Sequence, residues 1–195
     1  MKRVLVTVAL VFGLMTPLMV WAQENEHVEV GVFANYFRLS RNNLDLNFVG
    51  AGGRVGFNMN RYTQLEAEMA YDFARGYTTS CDNCGGVNFV RSNTRILHGL
   101  FGPKFQTGAG PFRVFATGKV GIISFDTTNS GVGSGFQTSL GAVSNGNAKL
   151  DVYPGAGIEG FAGPFGIRVE VGDEIYFDNG ARNNLRLTAG PTFRF

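Results

Sequence analysis

The sequence predicts an all-β chain, an eight-stranded antiparallel up-and-down transmembrane β-barrel, and three observations predict it. Eight segments alternate apolar and polar residues with period two, the mark of strands with two unlike faces. Beyond residue 22 no apolar run approaches the ~20 residues that a spanning helix requires. Yet aromatic residues make up 13% of the chain, with 18 Phe and 28 Gly, so many rings need either a core or a lipid-facing surface. Third, charges of both signs gather on one face of the segments, opposite the apolar one.

Taken in order, residues 1–22 read as a secretory signal. Lys2 and Arg3 give a positive start, Val4 to Met15 carry no charge, and Pro17 precedes Val20-Trp21-Ala22, the small-residue pattern that a signal peptidase cuts. Gln23-Glu24-Asn25-Glu26 follow closely, so the apolar stretch is too short for a comfortable membrane helix. Cutting after Ala22 leaves residues 23–195 as one barrel domain. The formal net charge of +2 belongs to Lys2 and Arg3, so the remainder is neutral. No basic block with interleaved aromatics is present, which excludes nucleic acid as a partner. No cysteine lies near the cut to carry a lipid anchor.

The strands are expected at about 28–38, 46–58, 63–75, 92–106, 112–125, 150–161, 165–177 and 184–195. The third is the clearest: Leu65, Ala67, Met69, Tyr71 and Phe73 oppose Gln64, Glu66, Glu68 and Asp72. In the fifth, Phe112, Val114, Ala116, Val120 and Ile122 oppose Arg113, Thr117 and Lys119. In the seventh, Phe165, Ile167, Val169 and Val171 oppose Arg168, Glu170 and Glu174. The last sets Leu185, Leu187, Ala189, Phe193 and Phe195 against Arg186, Thr188, Gly190, Thr192 and Arg194. The second strand breaks the pattern. Leu44, Leu46 and Phe48 share one parity, Val49, Ala51, Val55 and Phe57 the other, so a β-bulge near Phe48 or a later start is expected.

Connections at 58–61, 106–111 and 162–164 are tight and rich in Gly, Asn and Pro. Those at about 39–45, 76–91, 126–149 and 178–183 are mostly longer and polar. Short turns at one end and long loops at the other suit a membrane barrel with both termini on the short-turn side. Phe105, Phe112, Phe165, Phe193 and Phe195 near the turns, and Tyr36, Tyr71, Phe73 and Phe177 near the loops, suit two aromatic girdles.

The polar face holds Glu66, Glu68, Asp72, His98, Lys104, Arg113, Lys119, Asp151, Glu159, Arg168, Glu170, Arg186 and Arg194. In a soluble sandwich this face would meet water and the apolar face would be the core. In an eight-stranded barrel it would line a lumen only wide enough for side chains, where near-balanced charges form an ion-paired plug. Catalysis finds little support. Glu66 and Glu68 share their face with Lys104, Arg113 and Lys119, which makes them ion-pair partners before they are an acid–base pair. His98 lacks a usable Ser, since Ser92 falls in a loop region and Ser124 at the far end of another strand.

Cys81-Asp82-Asn83-Cys84 has no second pair to complete a zinc site and no thioredoxin-like βαβ context; in an exported chain a local disulfide is expected, with metal and redox roles as alternatives. The 126–149 segment, with Ser130-Gly131-Val132-Gly133-Ser134-Gly135, lacks the Lys-Ser/Thr of a phosphate-binding loop. No cofactor is expected.

At the C-terminus, Thr188-Ala189-Gly190-Pro191-Thr192-Phe193-Arg194-Phe195 resembles the last strand of bacterial outer-membrane proteins: a polar residue, Gly two later, then aromatics at alternate positions. Gly102-Pro103-Lys104-Phe105 and Gly155-Ala156-Gly157-Ile158-Glu159 resemble the phrasing of OmpA/OmpX-type small barrels, and the resemblance covers residues 27–195. It implies Thr188, Gly190, Phe193 and Phe195 as a signal for the barrel-assembly machinery, and the outer membrane, with its lipid and lipopolysaccharide, as the address. It implies a monomer without enzymatic activity, serving envelope integrity or surface interaction with an unidentified ligand through loops 76–91 and 126–149. A narrow porin-like channel and a lipid-modifying enzyme are the alternatives. The peptidoglycan-binding domain that some such proteins carry after the barrel is not expected.

Overall fold

The computed structural model describes residues 27–41, 44–80, 89–129, 148–178 and 180–195. They form eight strands: β1 Val28–Arg41, β2 Leu44–Asn60, β3 Thr63–Ser80, β4 Phe89–Gln106, β5 Phe112–Asn129, β6 Ala148–Ala162, β7 Phe165–Phe177 and β8 Ala181–Arg194. Each pairs antiparallel with its chain neighbours, and β1 pairs with β8, so the sheet closes into an up-and-down barrel without an edge. The seam is tied at the ends of the ladder, where Val28 and Phe195 exchange backbone hydrogen bonds at 3.3 and 2.8 Å.

Barrel geometry follows from the register. From Val30 the ladder runs through Val55, Ala67, Phe101, Val120, Val152 and Ile175 to Asn183. The β8–β1 register, with Leu185 opposite Arg38, then brings it back beside Ser40, ten residues above its start. With strands ~4.8 Å apart and ~3.3 Å per residue, this shear tilts the strands by roughly 40°. Each residue then advances about 2.5 Å along the barrel axis, so a stretch such as Phe112 to Ile122 spans about 25 Å, the height of a lipid-facing band.

The outward face of that band is apolar all round, with Phe112 62%, Ile167 68% and Phe101 52% exposed. The charges are inside. A water-soluble sandwich would show the opposite arrangement, so the choice between core and lipid-facing surface falls to the latter. The strands run further than the alternation alone indicates, mostly at the loop end, because ladder hydrogen bonds continue after the outward residues turn polar at Arg38, Asn47 and Arg75. As a result the β1–β2 and β7–β8 loops shrink to two and three residues (42–43 and 178–180).

The bulge expected near Phe48 is absent. The β1–β2 register runs without a shift from Val28–Phe57 to Arg41–Leu44, with Phe48 buried and Val49 exposed. The parity does not change; the lining of the barrel does, from polar to apolar towards the loops. Register shifts occur instead at Asn58/Asn60 and at Asp72/Arg75. At the opposite end the turns are tight. The Asn60 side chain accepts from the Tyr62 and Thr63 amides at 2.8 and 2.9 Å. Gly163 takes φ 64°, as the first residue of a two-residue hairpin requires.

Candidate functional site

The interior is a column of side chains, taken here from the loop end downwards. Its top layer is apolar: Phe37, Leu39, Phe48, Ile96, Ile123 and Tyr176, flanked by Leu46 and Phe125. Directly beneath, the His98 ring meets the edge of Phe37 at 5.0 Å between centroids. Its Nδ1 lies 2.5 Å from Glu174 Oε1 and its Nε2 3.0 Å from Asp72 Oδ2. Asn35 relays this group downwards, donating to Asp72 Oδ1 at 2.7 Å and accepting from Arg186 Nε at 2.8 Å. Asp151 is buried at the same level, its carboxyl beside that of Glu174.

The middle layer centres on the Lys119 ammonium, 2.8 Å from Glu68, 3.1 Å from Glu66 and 3.2 Å from Glu170. Ligand oxygens of those three carboxylates lie within 4.8 Å of one another, a spacing suited to a cation, and Lys119 is that cation. Around it Arg168 forks onto Glu66 and also contacts Glu170 and Glu159. Arg186 reaches Glu68 at 2.7 Å and Glu174 at 3.3 Å. Arg54 donates to Glu170 and to the Thr188 hydroxyl, each at 3.0 Å. Buried charges are costly unless paired and hydrogen-bonded, and here each carboxylate of the layer meets two or more cations.

Towards the short turns, Lys104 lies 2.7 Å from Glu159 and 3.5 Å from Glu29. Arg113 donates to Glu29 at 2.6 Å and to Gln106 at 3.2 Å. The bottom is capped by Phe161, its ring between the guanidiniums of Arg113 and Arg194 at 4.4 and 4.5 Å from the centroid. Other rings are threaded through the charges. Arg54 covers Phe33 at 4.3 Å, Arg168 covers Phe115 at 4.1 Å, and Tyr153 lies 5.3 Å from Arg186. These rings rest on glycines. Phe33, Phe115 and Phe161 stand opposite Gly52, Gly157 and Gly166 on the next strand, and a Cβ on any of the three would strike the ring within 2.6 Å.

All thirteen predicted lining residues sit on the lumen side; His98, Lys104, Arg113, Lys119 and Arg186 are at most 1% exposed, while Arg194 is half-buried at the rim. Of the C-terminal residues, Thr188 is a buried acceptor for Arg54. A Cβ on Gly190 would stand 2.1 Å from the Val32 carbonyl across the seam. Phe193 packs on Phe165 at 4.2 Å and stacks on Phe195 at 6.3 Å. Cys81 and Cys84 lie outside the described residues. The lumen leaves no room for side chains at Gly121 and Gly157: a Cβ on Gly121 would meet the Gly99 carbonyl at 1.8 Å, and the space at Gly157 already holds Phe115. Glu29, Arg54 and Asn35 belong to the network although the alternation did not single them out. Arg54 follows Gly52 and Gly53, which carry no side chain to mark a face.

Both nitrogens of His98 are committed to carboxylates, and Ser124, buried opposite Leu97, lies on the register of β5 that alternates with the lumen residue Ile123. Neither ring nitrogen is left to take a proton from a nucleophile.

No family model and no curated protein matches the chain by sequence. Solved structures match by shape. Ail, the attachment invasion locus protein of Yersinia pestis, in complex with the heparin analogue sucrose octasulfate, is 14% identical; the match covers 88% of this chain and 100% of that one with a TM-score of 0.55. Neisserial surface protein A is 8% identical over 86% of this chain and 97% of its own, with a TM-score of 0.57. The outer membrane protein OprG from Pseudomonas aeruginosa is 9% identical over 89% and 97%, with a TM-score of 0.54. The fold is therefore that of the small eight-stranded outer-membrane β-barrels.

Proposed function

We propose that the chain is an integral protein of the bacterial outer membrane, exported by a cleaved signal in residues 1–22. In this reading it is a closed, non-enzymatic barrel that serves envelope integrity or surface interaction through its loop end. The observation that carries it is the filled lumen: an apolar cap, an ion-paired middle and an arginine–phenylalanine base occupy the interior, while the apolar residues face out. A solute path and a substrate-accessible base would each need room that these side chains take. Thr188, Gly190, Phe193 and Phe195 are proposed to be read by the assembly machinery as well as to close the seam.

The test is an outer-membrane fraction run on a denaturing gel with and without boiling. The unboiled protein is expected to migrate as a separate, compact band, because a closed ladder resists detergent. A single band in the periplasmic fraction, unaffected by heating, overturns the reading.

A further inference from the structure

We propose that the layer beneath the apolar cap is a proton-held latch. The Asp151 and Glu174 carboxyls share one proton and the His98 ring carries another; when they leave, the loop end of the lumen loosens. This goes beyond the envelope reading above and needs only the closed barrel. The charges of the column are matched in the lower layers. Towards the short turns Lys104 and Arg113 meet Glu29 and Glu159, and in the middle Arg54, Lys119 and Arg168 meet Glu66, Glu68 and Glu170. That leaves Arg186 and His98 with the buried carboxyls Asp72, Asp151 and Glu174. Here three acids face two cations, and Arg186 is shared with Glu68 at 2.7 Å.

The contacts place the protons. A carboxylate only accepts, so both nitrogens of His98, 2.5 Å from Glu174 Oε1 and 3.0 Å from Asp72 Oδ2, have to donate, which makes the ring an imidazolium. Asp151 is fully buried, and among the described residues no N–H group donates to either of its oxygens. Its carboxyl lies beside that of Glu174, whose Oε2 is 3.3 Å from Arg186 Nε. Two ionised carboxyls side by side in a dry interior repel each other, and one proton between them removes the conflict. The remaining neighbours bring no cation to the pair. β1, β2 and β5 contribute Asn35, Phe37, Phe48 and Ile123 at this end, none of them charged. Lys149 of β6 is matched with Asp178 at 3.2 Å, and Arg182 of β8 stands two positions nearer the loops than the buried Asn184. The cap rests directly on this layer: Phe37 lies 5.0 Å from the His98 ring, and Tyr176 stands opposite Asp151 in the β6–β7 ladder. Without its two protons the layer sets three acids against Arg186 alone. Such a charge draws in water, and the apolar packing above it gives way. The folded lumen then holds protons that an unfolded chain surrenders in alkaline buffer, so its stability falls as pH rises.

The test uses the full chain in phosphatidylcholine nanodiscs. Infrared spectra in neutral buffer are expected to show the carbonyl stretch of a protonated carboxylic acid, shifted by carbon-13 labelling of aspartate or glutamate and lost in Asp151→Asn. The methyl resonances of Ile96 and Ile123, both in the cap, should be lost in alkaline buffer and return on neutralisation. Those of Ile158 and Ile167, on the outward face, should stay. Asp151→Asn leaves two acids for Arg186 and His98, so its cap resonances should survive the buffer that erases them in the wild type. Absence of the acid band, its survival in Asp151→Asn, or cap resonances unmoved by alkaline buffer overturns the latch. A metal ion retained through dialysis in place of the band gives the site to that ion and overturns it as well. Should Asp151→Asn fail to refold, the isotope shift and the wild-type pH response still decide.

Discussion

Lys119 shows most directly how single residues hold this barrel. Its ammonium serves three carboxylates at once, with no water-exposed route for any of them. Replacing it by Met keeps the volume and leaves the buried layer one cation short, so Lys119→Met is expected to lower stability by about 3–5 kcal/mol. The measurement is the urea midpoint at which the compact gel band is lost. Adding Glu68→Gln should recover part of that loss, because the surplus negative charge of the layer is removed; a double variant as unstable as the sum of the singles would argue against the pairing. The glycine seats give a contrasting case. Gly157→Leu should fail to fold, since its Cβ already meets Phe115 Cζ at 2.4 Å and the Val169 carbonyl at 2.3 Å. A folded Gly157→Leu barrel on the same gel would mean the ring is not fixed there. Lumen charges were legible in the sequence because a charge announces its face wherever the partner face is apolar. Phe33, Phe115 and Phe161 were not, since a ring on the polar face looks like an irregularity until the register sets a glycine opposite it.

Among the strands, three outward prolines mark a shared device. Pro103, Pro154 and Pro191 are exposed on the belt, and each coincides with a gap in a ladder. Pairing lapses between Phe101–Val120 and Lys104–Thr117, between Val152–Ile175 and Gly155–Gly172, and between Gly31–Thr192 and Ala34–Ala189. Proline brings no N–H to the ladder. Beside each lies an inward glycine, Gly102, Gly155 or Gly190. At Gly102 and Gly190 the neighbouring backbone comes so close that a Cβ would sit 2.2 Å from the Gly118 carbonyl or 2.1 Å from that of Val32. The pair thus lets strands converge where a narrow barrel must curve. Gly190→Val is expected to prevent seam closure and abolish the compact band, whereas Pro191→Val, which returns a donor, should raise the urea midpoint slightly. The reverse order of the two variants would remove this account. Strand existence was readable from period two, and order and turn ends from the tight Gly-, Asn- and Pro-rich connections. The ends at the loops, and the continuous β2, were not, because hydrogen bonding outlasts the amphipathic pattern and the lumen turns apolar at Phe37, Phe48 and Ile96.

For the molecule as a whole, alternation could not say which face is the inside; a sandwich and a barrel share the same pattern. Closure decides it, since eight strands with a shear of ten residues leave an interior that side chains fill. The stacked layers then make a prediction about transport. Apolar cap, ion-paired middle and Phe161 base lie in series along one narrow axis. Barriers in series do not fail one at a time: if any layer remains packed, an ion must still strip its hydration to pass. The wild-type barrel in a planar bilayer is therefore expected to show no unitary current steps. Phe161→Ala should remain silent because the Lys119 and Phe48 layers stand above it, and Phe48→Ala because the charges stand below. Arg168→Ser with Glu66→Gln thins the middle, yet Phe161 and the apolar cap still close both ends, so it too should not conduct. Current steps in any one of these three variants would show that a single layer is the gate, and would return the narrow-channel reading to first place.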